Sequence, residues 1–101
     1  MVEPDADLVA AFRADLVERM ARLTANWALV RAGDAAALEP LLRDVHYLAG
    51  TAATFGAAEI GDLAGEAETL LWPALREGIA VAAADRARID ELIAALSAAA
   101  G

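Results

Sequence analysis

The chain has no cysteine, no lysine, one histidine and one serine among its 101 residues. Without cysteine there is no disulfide framework and no thiol chemistry. A zinc site would need carboxylates to complete a single histidine, so no metal site is expected. Ser97, the only serine, sits near the end of the last helical stretch with nothing to suggest a serine triad. No run of about 20 strongly apolar residues escapes interruption by charge, which argues against a membrane span. The start, Met1-Val2-Glu3-Pro4-Asp5, is acidic and lacks the basic opening of a signal peptide. A cytoplasmic protein is therefore expected. No Gly-rich phosphate loop or nucleotide fingerprint occurs, so self-phosphorylation from ATP is not expected.

What is present is acid and alanine. Sixteen acidic residues face eight arginines, a net charge of −8. Such a surface repels phosphate backbones and anionic lipid, so neither nucleic acid nor a membrane surface is an expected partner. Alanine makes up about half of the 59% hydrophobic fraction. It favours helix while adding little burial per residue, so the composition predicts helices packed closely through small side chains. The length suits one domain over residues 1–101.

Four amphipathic segments are legible. Leu8, Phe12, Leu16, Met20, Leu23, Trp27 and Val30 form one stripe over about Asp5 to Ala32, with Asp5 or Asp7 as cap and Gly33 as stop. Leu38, Leu41, Val45, Leu48, Ala52 and Phe55 form the next. A short turn over Asp34 to Leu38 is expected to precede it, with regular helix from near Pro40 to a close at Gly56. The third carries Ile60, Leu63, Ala64, Ala67, Leu70 and Leu71, with a bend or end after Trp72 at Pro73 and a final stop at Gly78. The fourth, about Val81 to Ala99, uses Ile89, Leu92, Ile93 and Leu96 and lacks a clear capping residue. These segments predict an all-α, antiparallel up-down-up-down four-helix bundle.

His46 follows Val45 and so lies about 100° from the core stripe, at its edge. Leu42, Arg43, Ala49 and Gly50 are its neighbours on the same face, and Ala53 lies one turn further. A glycine inside a helix costs about 1 kcal/mol relative to alanine, so Gly50 requires a reason. Close approach of another helix and open space beside the imidazole are both compatible with it. A lone histidine is commonly a boundary residue with its polar edge in water. As a chemical group, however, an imidazole offers a neutral, nucleophilic nitrogen near neutral pH.

The pattern His46-x-Leu48-x-Gly50-x-Ala52-x-x-x-Gly56, followed by Ile60, Leu63, Ala64 and Glu68, resembles the histidine phosphotransfer (HPt) domain of bacterial multistep phosphorelays. The resemblance covers the second and third segments closely; the first and fourth match as generic amphipathic helices. It implies a four-helix domain whose His46 takes a phosphoryl group on Nε2 from an aspartyl phosphate of a receiver domain and passes it to another. Leu42, Ala49 and Ala53 would belong to the docking surface, with Gly50 clearing space for the receiver's loops and Gly56 carrying a tight turn. The implied partners are response-regulator receiver domains and a hybrid histidine kinase. No cofactor is expected on this chain, because magnesium would sit on the receiver. Many members of the family carry lysine three residues after the histidine, where Ala49 stands here. Arg43 could supply a cation to the same face, or stand as a solvated surface arginine.

Two other functions fit the same residues. One is the phosphorylatable N-terminal domain of a larger chemotaxis-type kinase; the other is a helical adaptor that binds receivers without transfer. A monomer is expected, since no long heptad pattern occurs. Trp27, Trp72, Phe12 and Phe55 are expected in the core or at helix ends. Tyr47 is expected at the border of the docking surface or exposed. Glu59, Asp62, Glu66 and Glu68 are expected on a solvated face with no chemistry.

Overall fold

A computed structural model describes residues 5–101; the acidic opening at Met1–Pro4 lies outside the described residues. Among the described residues the chain is all-helical, with four α-helices and no strand: α1 (Ala6–Arg31), α2 (Leu38–Thr51), α3 (Ala58–Glu77) and α4 (Ala83–Ala100). α1 packs on α2 and α4, and α3 packs on the same two, so the four surround one core. The predicted seams fill it: Phe12, Leu16, Met20, Leu23 and Trp27 from α1, Leu38, Leu41, Val45 and Leu48 from α2, and Ile89, Leu92, Ile93 and Leu96 from α4 are buried. Each fully buried leucine contributes about 2 kcal/mol of transfer free energy. Leu8 departs from the expected stripe and stands 58% exposed, one turn before Phe12, the first buried residue of α1.

Asp5 caps α1, its side chain accepting from the backbone N–H of Asp7 and Leu8 at 2.8 and 3.3 Å. Asp34 caps a 3-10 turn over Ala35–Ala37 by accepting from Ala36. α2 then starts two residues earlier than expected. Pro40 is accommodated as its third residue, where a helix has no internal partner for the N–H that proline lacks.

The far end of α2 also differs from expectation. The α-helix stops at Thr51, and a 3-10 turn over Ala52–Phe55 carries the chain to Gly56. Gly56, at φ 79°, adopts the left-handed conformation open chiefly to glycine and reverses the chain into α3. Pro73 does not end the helix: α3 continues to Glu77, because Leu71 and Ala74 on either side remain buried against the core. Left-handed Gly78 ends it, with Ile79 N–H returning to the Ala74 carbonyl at 3.1 Å. α4 begins at Ala83, two residues late, after an Ala82 cap that offers no side-chain bond.

α2 and α3 approach each other through small residues. A Cβ placed on buried Gly61 would meet Ala52 Cβ and the Leu48 carbonyl oxygen at 3.7 Å. That contact holds in register the two helices that carry the site.

Candidate functional site

α2 presents His46 to solvent. Its imidazole is 77% exposed although Val45 before it and Leu48 after it are fully buried. The 100° step between adjacent helical residues produces this contrast. Across the α2–α3 contact, Glu68 is about one-third exposed and accepts a hydrogen bond from His46 Nδ1. A carboxylate can only accept, so the bond assigns a proton to Nδ1; in the neutral imidazole the lone pair is then on Nε2. The nitrogen that remains free points away from α3.

The space around the imidazole is divided. On one side a groove of about 760 Å³ runs between α2 and α3, with Leu42, Arg43, Trp72, Pro73 and Arg76 among the residues along it. On the other side nothing stands within 4 Å of where a Gly50 Cβ would lie. Of the two explanations for Gly50, open space holds; close helix approach belongs to Gly61 instead. Leu42 is buried and forms floor, Ala49 is half-buried, and Gly50 and Ala53 are exposed. Leu42 and Arg43 share the groove with His46, whereas Ala49, Gly50 and Ala53 do not line it.

Arg43 is 74% exposed and reaches Glu39, its neighbour one turn back, only at 3.4 Å. A pair this loose and wet is weak and leaves the guanidinium available to another anion.

Two expectations change here. Glu68, expected on an inert wet face, is the partner of the histidine. Trp72, expected in the core or in end packing, is 48% exposed and lines the groove. Glu66 is exposed as expected but pairs with Arg88 of α4, which also bonds Glu91. Trp27 is buried as expected and donates its indole N–H to Asp90 at 2.8 Å. Phe12 and Phe55 stack with ring centroids 4.9 Å apart, although Phe55 is only half-buried. Tyr47 is half-buried under the Arg19 guanidinium, 3.8 Å from its ring centroid.

Asp44, two residues before His46, is the one buried charge among the described residues. Arg22 bonds it through two nitrogens at 2.8 Å, and Arg19 adds a third bond at 2.7 Å. The Asp44 carboxylate raises the Arg22 pKa above its ordinary value. The cluster ties α2 to α1 on the side away from His46 and fixes the rotation that turns the imidazole outward. No local signal in the sequence marks it, since the partners lie 22 and 25 residues away.

Among the described residues, no three His, Cys, Asp or Glu side chains are placed to hold a metal ion. No described helix is long and apolar enough to cross a membrane. The fold and site thus define an all-helical bundle presenting one exposed, carboxylate-held imidazole. The family model of the Hpt domain matches residues 7–99, and the chain belongs to that family. Membership implies histidine phosphotransfer in two-component systems, where Hpt domains work with receiver domains and kinases. No curated protein and no solved structure compared with the chain gave a match.

Proposed function

We propose that residues 1–101 form one phosphotransfer domain that relays a phosphoryl group between aspartates of receiver domains through His46. The observation that carries this reading is the exposed imidazole whose Nδ1 is engaged by Glu68, leaving Nε2 as the nucleophile. The Nε2 lone pair attacks the phosphorus of the donor's aspartyl phosphate, in line with the bond to the acyl oxygen. The N–P bond forms, the P–O bond breaks and the aspartate carboxylate leaves. His46 becomes an imidazolium that keeps its Nδ1 proton, and Glu68 offsets the charge. In the second half, a receiver carboxylate attacks the phosphorus and the neutral imidazole departs.

The chain supplies a nucleophile on a rigid surface; magnesium is assigned to the receiver's pocket and none to this chain. Gly50 and Ala53 leave room for the receiver's loops, and Leu42 and Ala49 complete the apolar surface around the histidine. Arg43 takes the place of the lysine that Ala49 displaces, turning from Glu39 toward the phosphoryl oxygens. Connections that join helices already packed together support the up-down-up-down order. A cytoplasmic monomer serving receivers and a hybrid kinase is the setting that fits.

Incubation with a receiver domain labelled on its aspartyl phosphate tests the reading. Acid-labile, base-stable label on the wild type that is absent from His46→Gln is the expected result. Label that persists in His46→Gln overturns it.

A further inference from the structure

A second cavity, of about 340 Å³, lies where the ends of α1 and α3 meet the starts of α2 and α4. Val30, Leu38, Ala74, Leu75, Ile79 and Val81 form its walls. Leu38 and Ala74 are buried and make the floor, whereas Leu75 and Ile79 are exposed. Left-handed Gly33 and Gly78 border it without side chains, and a Cβ at either would meet nothing within 4 Å. Leu75 is the one residue it shares with the groove beside His46, so the cavity stands apart from the phosphotransfer site.

Its charge runs against the balance of the molecule. The chain carries sixteen acidic residues and eight arginines, yet no aspartate or glutamate lines this cavity and two arginines do. Arg31 holds Asp90 through Nε and Nη2 at 3.1 and 3.0 Å, which leaves Nη1 uncommitted among the described residues. The ion pairs among the described residues engage Arg19, Arg22, Arg31, Arg43, His46 and Arg88; Arg86 belongs to none of them. Both Arg31 and Arg86 are exposed, so cations stand at the rim of a cavity whose floor is apolar.

That combination suits a ligand apolar along most of its length and anionic at one end. An inorganic anion would leave the floor wet, and a neutral apolar molecule would leave the guanidiniums unused. At about 30 Å³ for each non-hydrogen atom, the cavity takes about ten of them, the size of a straight-chain carboxylate of about eight carbons. We infer that this cavity binds a medium-chain aliphatic monocarboxylate, with its tail against Leu38, Leu75 and Ile79 and its carboxylate on Arg86 and Arg31. The two tryptophans report on the two cavities separately. Asp90 also accepts the Trp27 indole N–H at 2.8 Å, so a carboxylate that takes hold of Arg31 shifts the Trp27 signal. Trp72 lines the groove beside His46 and reports on that one.

The probe is octanoate, added to the full chain well below its micelle-forming concentration and followed by proton–nitrogen correlation spectra. A saturable shift with a Kd of about 1 mM or below is expected, largest at the amides of Gly33, Gly78 and Ile79 and at the Trp27 indole. Hexanoate should bind about 15-fold more weakly for want of two buried methylenes. Octanol, which keeps the tail without the charge, should bind about tenfold more weakly. Arg86→Gln should weaken octanoate about fivefold, and Ile79→Asp, which sets a carboxylate at the rim, more than about tenfold. Both positions are exposed, so both variants should fold. Arg13→Gln, a surface arginine off the cavity, and His46→Gln should stay within about twofold. Equal affinity for octanol and octanoate, or wild-type affinity in both Arg86→Gln and Ile79→Asp, overturns the inference. Shifts centred on Trp72 and His46 place octanoate in the other groove and overturn it too, as does the absence of any saturable shift. Self-association of the ligand-free protein that is lost in Ile79→Asp assigns the cavity to a second copy and also overturns it.

Discussion

Glu68 on α3 accepts the Nδ1–H of His46 on α2, joining two helices at the one imidazole of the chain across 22 residues of sequence. The bond sets which ring nitrogen is free and supplies the negative charge nearest to the imidazolium formed on phosphorylation.

Glu68 is therefore a positioning residue, and its variants should separate orientation from charge. Glutamine at 68 still accepts from Nδ1–H but carries no charge, so Glu68→Gln should slow transfer about tenfold. Glu68→Ala loses both effects and should slow it about 100-fold. Rapid-quench transfer at saturating receiver measures the difference; equal rates in both variants would remove Glu68 from the mechanism.

Gly50 offers a clean contrast between stability and access. Gly50→Ala should raise stability by about 1 kcal/mol, since the helix gains propensity and the added Cβ meets nothing within 4 Å. Gly50→Trp should also fold but should lose transfer, because the indole fills the space a receiver needs. Thermal melting and transfer assays on the same samples check both halves.

Removing the Asp44 carboxylate leaves Arg19 and Arg22 without their shared partner. Asp44→Ala should destabilise the bundle by about 2 kcal/mol in chemical denaturation. The cost is moderated by solvent, which reaches Arg22 freely at 51% side-chain exposure.

Arg43 should contribute modestly. An exposed cation acting on phosphoryl oxygens is worth no more than about 1 kcal/mol, so Arg43→Ala should slow transfer by about fivefold or less. Arg43→Lys should restore most of the loss if charge alone matters.

The acid limb of stability should depend on the α3–α4 ion pair. Hydrogen bonds from Arg88 hold the Glu66 carboxyl below its ordinary value of 4.5. Its contribution is then present above about pH 4.5 and is lost as pH falls through the lower folded-state value. Urea midpoints of wild type and Arg88→Ala should differ near neutral pH and converge in acid. The gap should be small, because both side chains are nearly half exposed.

Much of this was legible before the structure. Three-four spacing predicted the seams through Leu16, Val45 and Ile89 because burial imposes that period on any packed helix. The place of His46 at the edge of the seam followed from its 100° offset to Val45, but its exposure did not, since Asp44, offset equally on the other side, is buried. Helix ends were less legible. Pro73 signals a break, but burial of Leu71 and Ala74 outweighs the lost backbone bond. Pro40 falls in a first turn, where nothing is lost.

The partners of the site were the least legible part. Glu68 and Trp72 lie one turn apart on α3, so their shared face was readable, but which face met α2 beside His46 depends on the rotation of both helices. Asp44, Arg19 and Arg22 set part of that rotation through contacts distant in sequence.

A single histidine makes the central claim open to direct observation, because the spectrum contains only one pair of imidazole nitrogens. Long-range proton–nitrogen correlation of ¹⁵N-labelled protein, recorded at mildly alkaline pH before and after transfer from a phosphorylated receiver, reports on both. The account predicts a proton on Nδ1 beforehand and phosphorus coupling on Nε2 afterwards. Coupling on Nδ1, or a phosphorylated protein with no coupling on either imidazole nitrogen, would contradict it.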